Sequence, residues 1–138
     1  EPISKPAKGN INLNGVTAML AFKEHHFFII ERTYQNGYGV HGNTIRIFEA
    51  SINEETTNII AVESLKETDY IPLQKKLLLD FSDVKGGLTD EIIDNIEGIT
   101  FGPQLSNGNA SLLLVSDDNF QMFGKQLNQL ILLELTRN

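Results

Sequence analysis

Short apolar runs closed by turn residues recur along this chain, and that rhythm belongs to strands rather than helices. Residues 15–22 and 27–30 flank Lys23-Glu24-His25-His26 and read as a hairpin rich in β-branched and aromatic residues. The glycines of residues 34–42 mark a loop, and residues 44–50 alternate as a third strand. Residues 59–62 and 76–81 are two further strand candidates. Lys85-Gly86-Gly87 is a turn, after which Thr89 can cap a short helix with Asp90 and Glu91 in its first turn, where acids are favourable. Residues 99–101 form a short strand stopped by Gly102-Pro103. Asn107-Gly108 signals a tight turn, and residues 111–115 read as a buried strand. A helix competes for residues 120–135, but Gly124 and the unbroken Leu130-Ile131-Leu132-Leu133 favour a strand over 129–135. Residues 1–14, with two prolines, read as a lead-in loop.

The runs come in two copies, residues 15–50 and 98–135. Gly15-Val16-Thr17 recurs as Gly98-Ile99-Thr100, 83 residues on. Residues 27–32 line up with 112–117, and 43–49 with 128–134, both 85 residues on. Shared strand composition is the competing explanation; identities of glycine, threonine, asparagine and glutamate at four matched places argue against it. Repeated groups of three or four short antiparallel strands are the pattern of β-propeller blades, with residues 59–81 supplying an outer strand and its connection. The expectation is an all-β fold of propeller-like antiparallel blades. Two blades do not close a ring, since propellers use about four or more. Residues 15–138 therefore read as a fragment of a larger domain, with edges and an apolar face that pair with another copy or with the remaining blades of the parent protein. A first residue Glu1 rather than Met fits a processed or excised chain.

Composition removes several function classes. The net charge of −7 makes nucleic acid and anionic membrane surfaces poor partners. No apolar run approaches the ~20 residues of a transmembrane helix. The absence of cysteine excludes disulfides, thiolate metal sites and cysteine catalysis. No serine lies in a Gly-x-Ser-x-Gly elbow, and Gly86-Gly87 lacks the Lys-Ser/Thr of a phosphate-binding loop. His25-His26 fall in a hairpin loop, where a solvated pair is the plain reading, and His41 in a glycine-rich loop is a candidate acid–base group.

The chemistry sits at strand ends. Asp117, Asp118 and Asn119 follow a buried strand, and Asn95 and Glu97 precede another strand start. If these ends are neighbours, five oxygen-bearing side chains converge, a carboxylate-and-amide set suited to a hard cation such as Ca²⁺. The alternative is that Asp and Asn cap their own turns and that Glu97 pairs with an arginine. An EF-hand is discounted, because counting from Asp117 puts Met122 and Asn128 where Gly and Glu are required. Glu31 and Arg32 are neighbours on a strand and point to opposite faces, so Arg32 is free to reach Glu97 or Asp117, or an anionic substrate.

Leu78-Leu79-Asp80-Phe81-Ser82-Asp83, then Asp94-Asn95-Ile96-Glu97-Gly98-Ile99-Thr100-Phe101-Gly102-Pro103, then Leu112-Leu113-Leu114-Val115-Ser116-Asp117-Asp118-Asn119-Phe120 resemble the closing part of the bacterial "esterase-like activity of phytase" (phytase-like) family. Ile29-Ile30-Glu31-Arg32 and residues 42–48 resemble its preceding segment. The resemblance implies a propeller-like fold, an exported protein, periplasmic or secreted, and hydrolysis of a small-molecule ester or phosphoester. Joined to the residues above, it makes Glu97, Asp117 and Arg32 the catalytic candidates. Asn95, Glu97, Asp117, Asp118 and Asn119 are the candidate Ca²⁺ ligands. A non-catalytic binding or scaffold module is the alternative.

Overall fold

The computed structural model describes residues 12–35, 42–122 and 125–136. They form two antiparallel sheets and no long helix. Strands β1 (Asn12–Lys23), β2 (His26–Gln35), β3 (Asn43–Ser51) and β4 (Gln74–Asp80) make a meander in the order β1-β2-β3-β4. Strands β5 (Ile96–Phe101), β6 (Ala110–Ser116) and β7 (Leu130–Leu135) make a second, β5-β6-β7. Among the described residues no helix is long and apolar enough to cross a membrane.

The period of two in β2, β3 and β6 decides the packing. Phe28 and Ile30 of β2 and Ile45 and Ile47 of β3 face Ile96 of β5 and Leu112 and Leu114 of β6 in one buried cluster. Burying each such side chain stabilises by about 1.5–3 kcal/mol. Phe81, fully buried, follows β4 and plugs the same cluster. It opens a short 3-10 helix (Phe81–Gly87) capped by Asp80, whose Oδ1 accepts from Ser82 N–H.

Several expectations need correction. Residues 59–62 are not a strand but a solvent-facing turn in the connection between β3 and β4. The run is apolar, yet among the described residues no strand pairs with it to take its backbone hydrogen bonds. Thr89 caps no helix: residues Thr89–Glu91 make a single turn with Asp90 and Glu91 in the left-handed region, and Thr89 N–H instead donates to Gln129 Oε1. Among the described residues of 120–135 the competing helix is absent; β7 occupies its second half. Strand β1 begins at Asn12, inside the expected lead-in loop, and β2 runs to Gln35, inside the expected glycine-rich loop. Pairing with a neighbour extended both strands, from Asn12↔Gln35 to Lys23↔His26.

Strand register also revises the alignment of the two copies. Strand β1 has a bulge at Thr17, between the pairs Val16↔Glu31 and Ala18↔Ile30. Strand β5 has one at Glu97, between Ile96↔Ser116 and Gly98↔Val115. Matching bulge to bulge puts Glu31 with Ser116 and Ile30 with Val115, each 85 residues apart, as the sequence alignment had β2 and β6. The flanking strands shift. Thr17 corresponds to Glu97, and Phe48, opposite Ile29, corresponds to Ile131, opposite Leu114. Gly15/Gly98, Thr17/Thr100, Asn43/Asn128 and Glu49/Glu134 are therefore not equivalent positions. The similarity lies in hairpin register and bulge placement, which identity matching does not read.

Candidate functional site

The two bulges meet where the sheets touch. A bulge leaves one residue outside the ladder and re-aims its side chain. Thr17 uses this freedom to donate from Oγ1 to the carbonyl of Ile96 across the seam, at 3.0 Å. Glu97 turns toward β2, and Arg32 Nη1 donates to Glu97 Oε1 at 3.3 Å. The same oxygen accepts from Asn95 Nδ2 at 2.8 Å. Gly98 lets the strand turn there: a Cβ would come within 2.7 Å of Val115 Cγ1. Arg32 is three-quarters buried and Glu97 is partly exposed, so the pair lines the rim of the seam rather than the core.

The loop after β6 closes on this seam. Asp117 N–H donates to the carbonyl of Asn95 at 2.9 Å. Asp117 Oδ1 accepts from Asn119 N–H, and Asp118 Oδ1 from Phe120 N–H, both at 3.1 Å. Asn119 Nδ2 reaches Gln126 Oε1 at 3.3 Å. Asp117 and Asp118 thus cap their own turn, as Asx side chains do, while Asn119 ties it to Gln126. Among the described residues no three His, Asp or Glu side chains come together as a metal-binding group. One oxygen does fit a ligand's role: Asn95 Oδ1 is buried without a hydrogen-bond partner among the described residues. Glu97 is bonded to Nδ2 of the same amide, but no group of three acidic side chains forms there among the described residues.

Asp94 had no assigned role, yet it organises the site. It is 1% exposed. Its Oδ1 accepts from Asn95 N–H and Gln126 Nε2, and its Oδ2 from Leu127 N–H at 2.7 Å. A buried carboxylate persists only when its lone pairs are filled in this way. The available signal was its place directly before Asn95, in a stretch whose other polar residues were already suspect. Asp94 anchors a loop that carries three consecutive left-handed residues, Asn119 (φ 48), Phe120 (φ 53) and Gln121 (φ 60). Such conformations cost about 1–3 kcal/mol each for side chains with a Cβ.

The described histidines, His25 and His26, lie at the opposite end of β2 from Arg32. His25 sits at the tip of the β1–β2 hairpin beside Glu24. His26 starts β2 against Phe22, with Nδ1 3.8 Å from Glu49. His41 lies outside the described residues.

The sequence profile of the Phytase-like family, described as esterase-like activity of phytase, matches residues 1–120. Comparison with curated proteins and with solved structures gave no match. The matched span takes in β1 to β6 and every residue of the Arg32–Glu97–Asn95–Asp117 seam, and the chain belongs to the Phytase-like family.

Proposed function

We propose that this chain carries part of the active site of a hydrolase for an ester or phosphoester, and that the substrate lies at the seam. Family membership supports the reaction class. The observation that carries the location is the Arg32–Glu97 pair, set between two sheets by two bulges. A guanidinium binds carbonyl or phosphoryl oxygens through paired N–H donors and stabilises the negative charge that grows on them. Glu97 Oε1 holds Arg32 and Asn95. In this reading Oε2 takes a proton from water as the water oxygen bonds to carbon or phosphorus, and as the bond to the alkoxide oxygen breaks Oε2 returns that proton to the departing alkoxide. Asp117 closes the floor of the site through its backbone bond to Asn95. Turnover of a chromogenic ester and of phytate tests this. Arg32→Ala and Glu97→Gln should each lower kcat/KM by roughly a hundredfold. Unchanged turnover in both variants, or none in the wild type, would move the seam to a binding or scaffold role.

One observation keeps a cation-dependent variant in play, the buried and unpartnered Asn95 Oδ1. Calorimetric titration with Ca²⁺ separates the two: heat lost in Asn95→Ala and Asp117→Asn favours the cation.

We also read the two sheets as consecutive propeller blades. With bulges matched, Ile30 lies on the face of the first sheet that enters the core, but its equivalent Val115 lies on the outer face of the second. The core-facing Leu114 in turn corresponds to Ile29, on the far face of the first sheet. Opposite faces meet, so the stacking is head-to-tail, the kind of contact that can continue into a ring. It leaves Val115, Leu130 and Leu132 exposed at 43%, 74% and 49%, the face a next blade would cover.

A further inference from the structure

We propose that Phe120 is a substrate-contact residue which, with Met122, seats the apolar acyl or aryl group of an ester or phosphoester whose charged oxygens lie at Arg32. This rests on the hydrolase reading above and names the substrate class for that site. Phe120 is 90% exposed and Met122 71%, and neither joins the core cluster. The exposure is built in. Phe120 sits mid-way through the left-handed turn, at φ 53 and ψ 26, so the backbone adopts a sterically costly conformation that no packing of its own side chain offsets. The turn is held by polar bonds: Asp118 Oδ1 takes Phe120 N–H, Gln121 Nε2 donates to the Gln126 carbonyl at 3.0 Å, and Gln126 is tied to buried Asp94. A large apolar side chain held outward on a fixed support is preorganised for contact, since little ordering remains to oppose binding. The loop also starts at Asp117, bonded to Asn95, whose amide shares Glu97 with Arg32. The loop that carries ring and thioether therefore leaves β6 at the strand end where Arg32 of the first sheet meets Glu97. The ring and sulfur suit an apolar group; the guanidinium suits its oxygens.

The test is calorimetric titration of the chain with phenylphosphonate, which carries a ring and anionic oxygens, and with methylphosphonate, which lacks the ring. Phe120→Ser should weaken phenylphosphonate binding by about tenfold and leave methylphosphonate within about twofold. Phe120→Leu should keep phenylphosphonate within about threefold, because an apolar side chain is retained. The exposure of Phe120 makes both variants foldable, and unchanged far-UV circular dichroism verifies it. Equal affinity of the wild type for the two probes, binding of neither, or indifference of phenylphosphonate to Phe120→Ser would overturn the proposal. Phenylphosphonate binding that depends on Phe120, in a chain that turns over neither ester nor phytate, would instead sink the hydrolase reading and leave the contact standing.

Discussion

The two sheets share a hairpin register and differ in how they meet water. In the first, the far-face residues Ile29, Phe48 and Ala50 are as buried as the core-facing Phe28, Ile30 and Ile47. In the second, Leu112 and Leu114 are buried while Val115, Leu130 and Leu132 stand exposed on the far side. The first sheet also holds the acids that its partners perturb, Glu31 with Lys75 and Asp80 with Arg46. The second has Glu134 held by Asn109 and Asn107 at its far end, and a dense polar network in the loop anchored by Asp94. Equal strand chemistry thus produces a first sheet whose central strands, β2 and β3, are buried on both faces while Met19 and Leu77 beside them stay exposed, and a second sheet buried on one face.

Removing core volume should break both sheets alike. Ile30→Ala and Leu114→Ala should each cost about 2–5 kcal/mol in urea unfolding, through lost transfer energy and a cavity. Leu132→Ala, on the open face, should stay within about 0.5 kcal/mol. A loss at Leu132 as large as at Leu114 would erase the contrast.

Asp94→Ala comes next. It removes the acceptor of Leu127 N–H and Gln126 Nε2. A cost of about 2–3 kcal/mol is expected for hydrogen bonds to a buried charge. Hydrogen exchange should show the effect concentrated in residues 117–129, with β2 and β3 unchanged.

Acid should act on the first sheet. Burial works to raise the pKa of Asp80, but its bonds to Arg46 and Ser82 prevail and hold it below the usual carboxylate range. Glu31 is likewise lowered against burial, with Lys75 bonded to it. A carboxylate with a lowered folded-state pKa contributes stability above its unfolded pKa, and that stability is lost as pH falls through the folded value. Stability should therefore drop as pH falls below about 4, the unfolded carboxylate range. Asp80→Asn should flatten that limb, and an unchanged acid limb would count against the Arg46 pairing as its source.

The smallest effect on stability belongs to Leu132→Lys, within about 0.5 kcal/mol. Its readout is light scattering: concentration-dependent association of the wild type should fall in the variant, because a charge then interrupts the open apolar face. A wild type that stays monomeric at high concentration would argue against an unfinished stack.

Much of the architecture was legible. The strands around residues 15–22, 27–30, 44–50 and 111–115 followed from alternation and bounding turns, and each was observed, longer at its ends. Leu130-Ile131-Leu132-Leu133 correctly outweighed the helical alternative. The prospect that Arg32 reaches Glu97 followed from Glu31 and Arg32 pointing opposite ways, and the structure places that pair in contact. Whether Asp117, Asp118 and Asn119 serve a cation or their own turn was not legible. The same residue types do both, and only the structure shows that one oxygen each of Asp117 and Asp118 caps the turn. Residues 59–62 misled because an apolar run reports a tendency to pair, not the presence of a partner.

The sequence by itself determined the all-β class, the order of strands and most turns, because alternation and turn chemistry are local. Family membership was equally readable, from motifs that stand in the linear sequence. The tertiary structure alone decided which face of each sheet is buried, where the bulges fall, that Glu97 turns toward Arg32, and that Asp94 is the buried anchor. Those outcomes depend on pairing between residues far apart in the chain. A one-residue slip in such pairing exchanges the two faces of a strand without changing a single local preference.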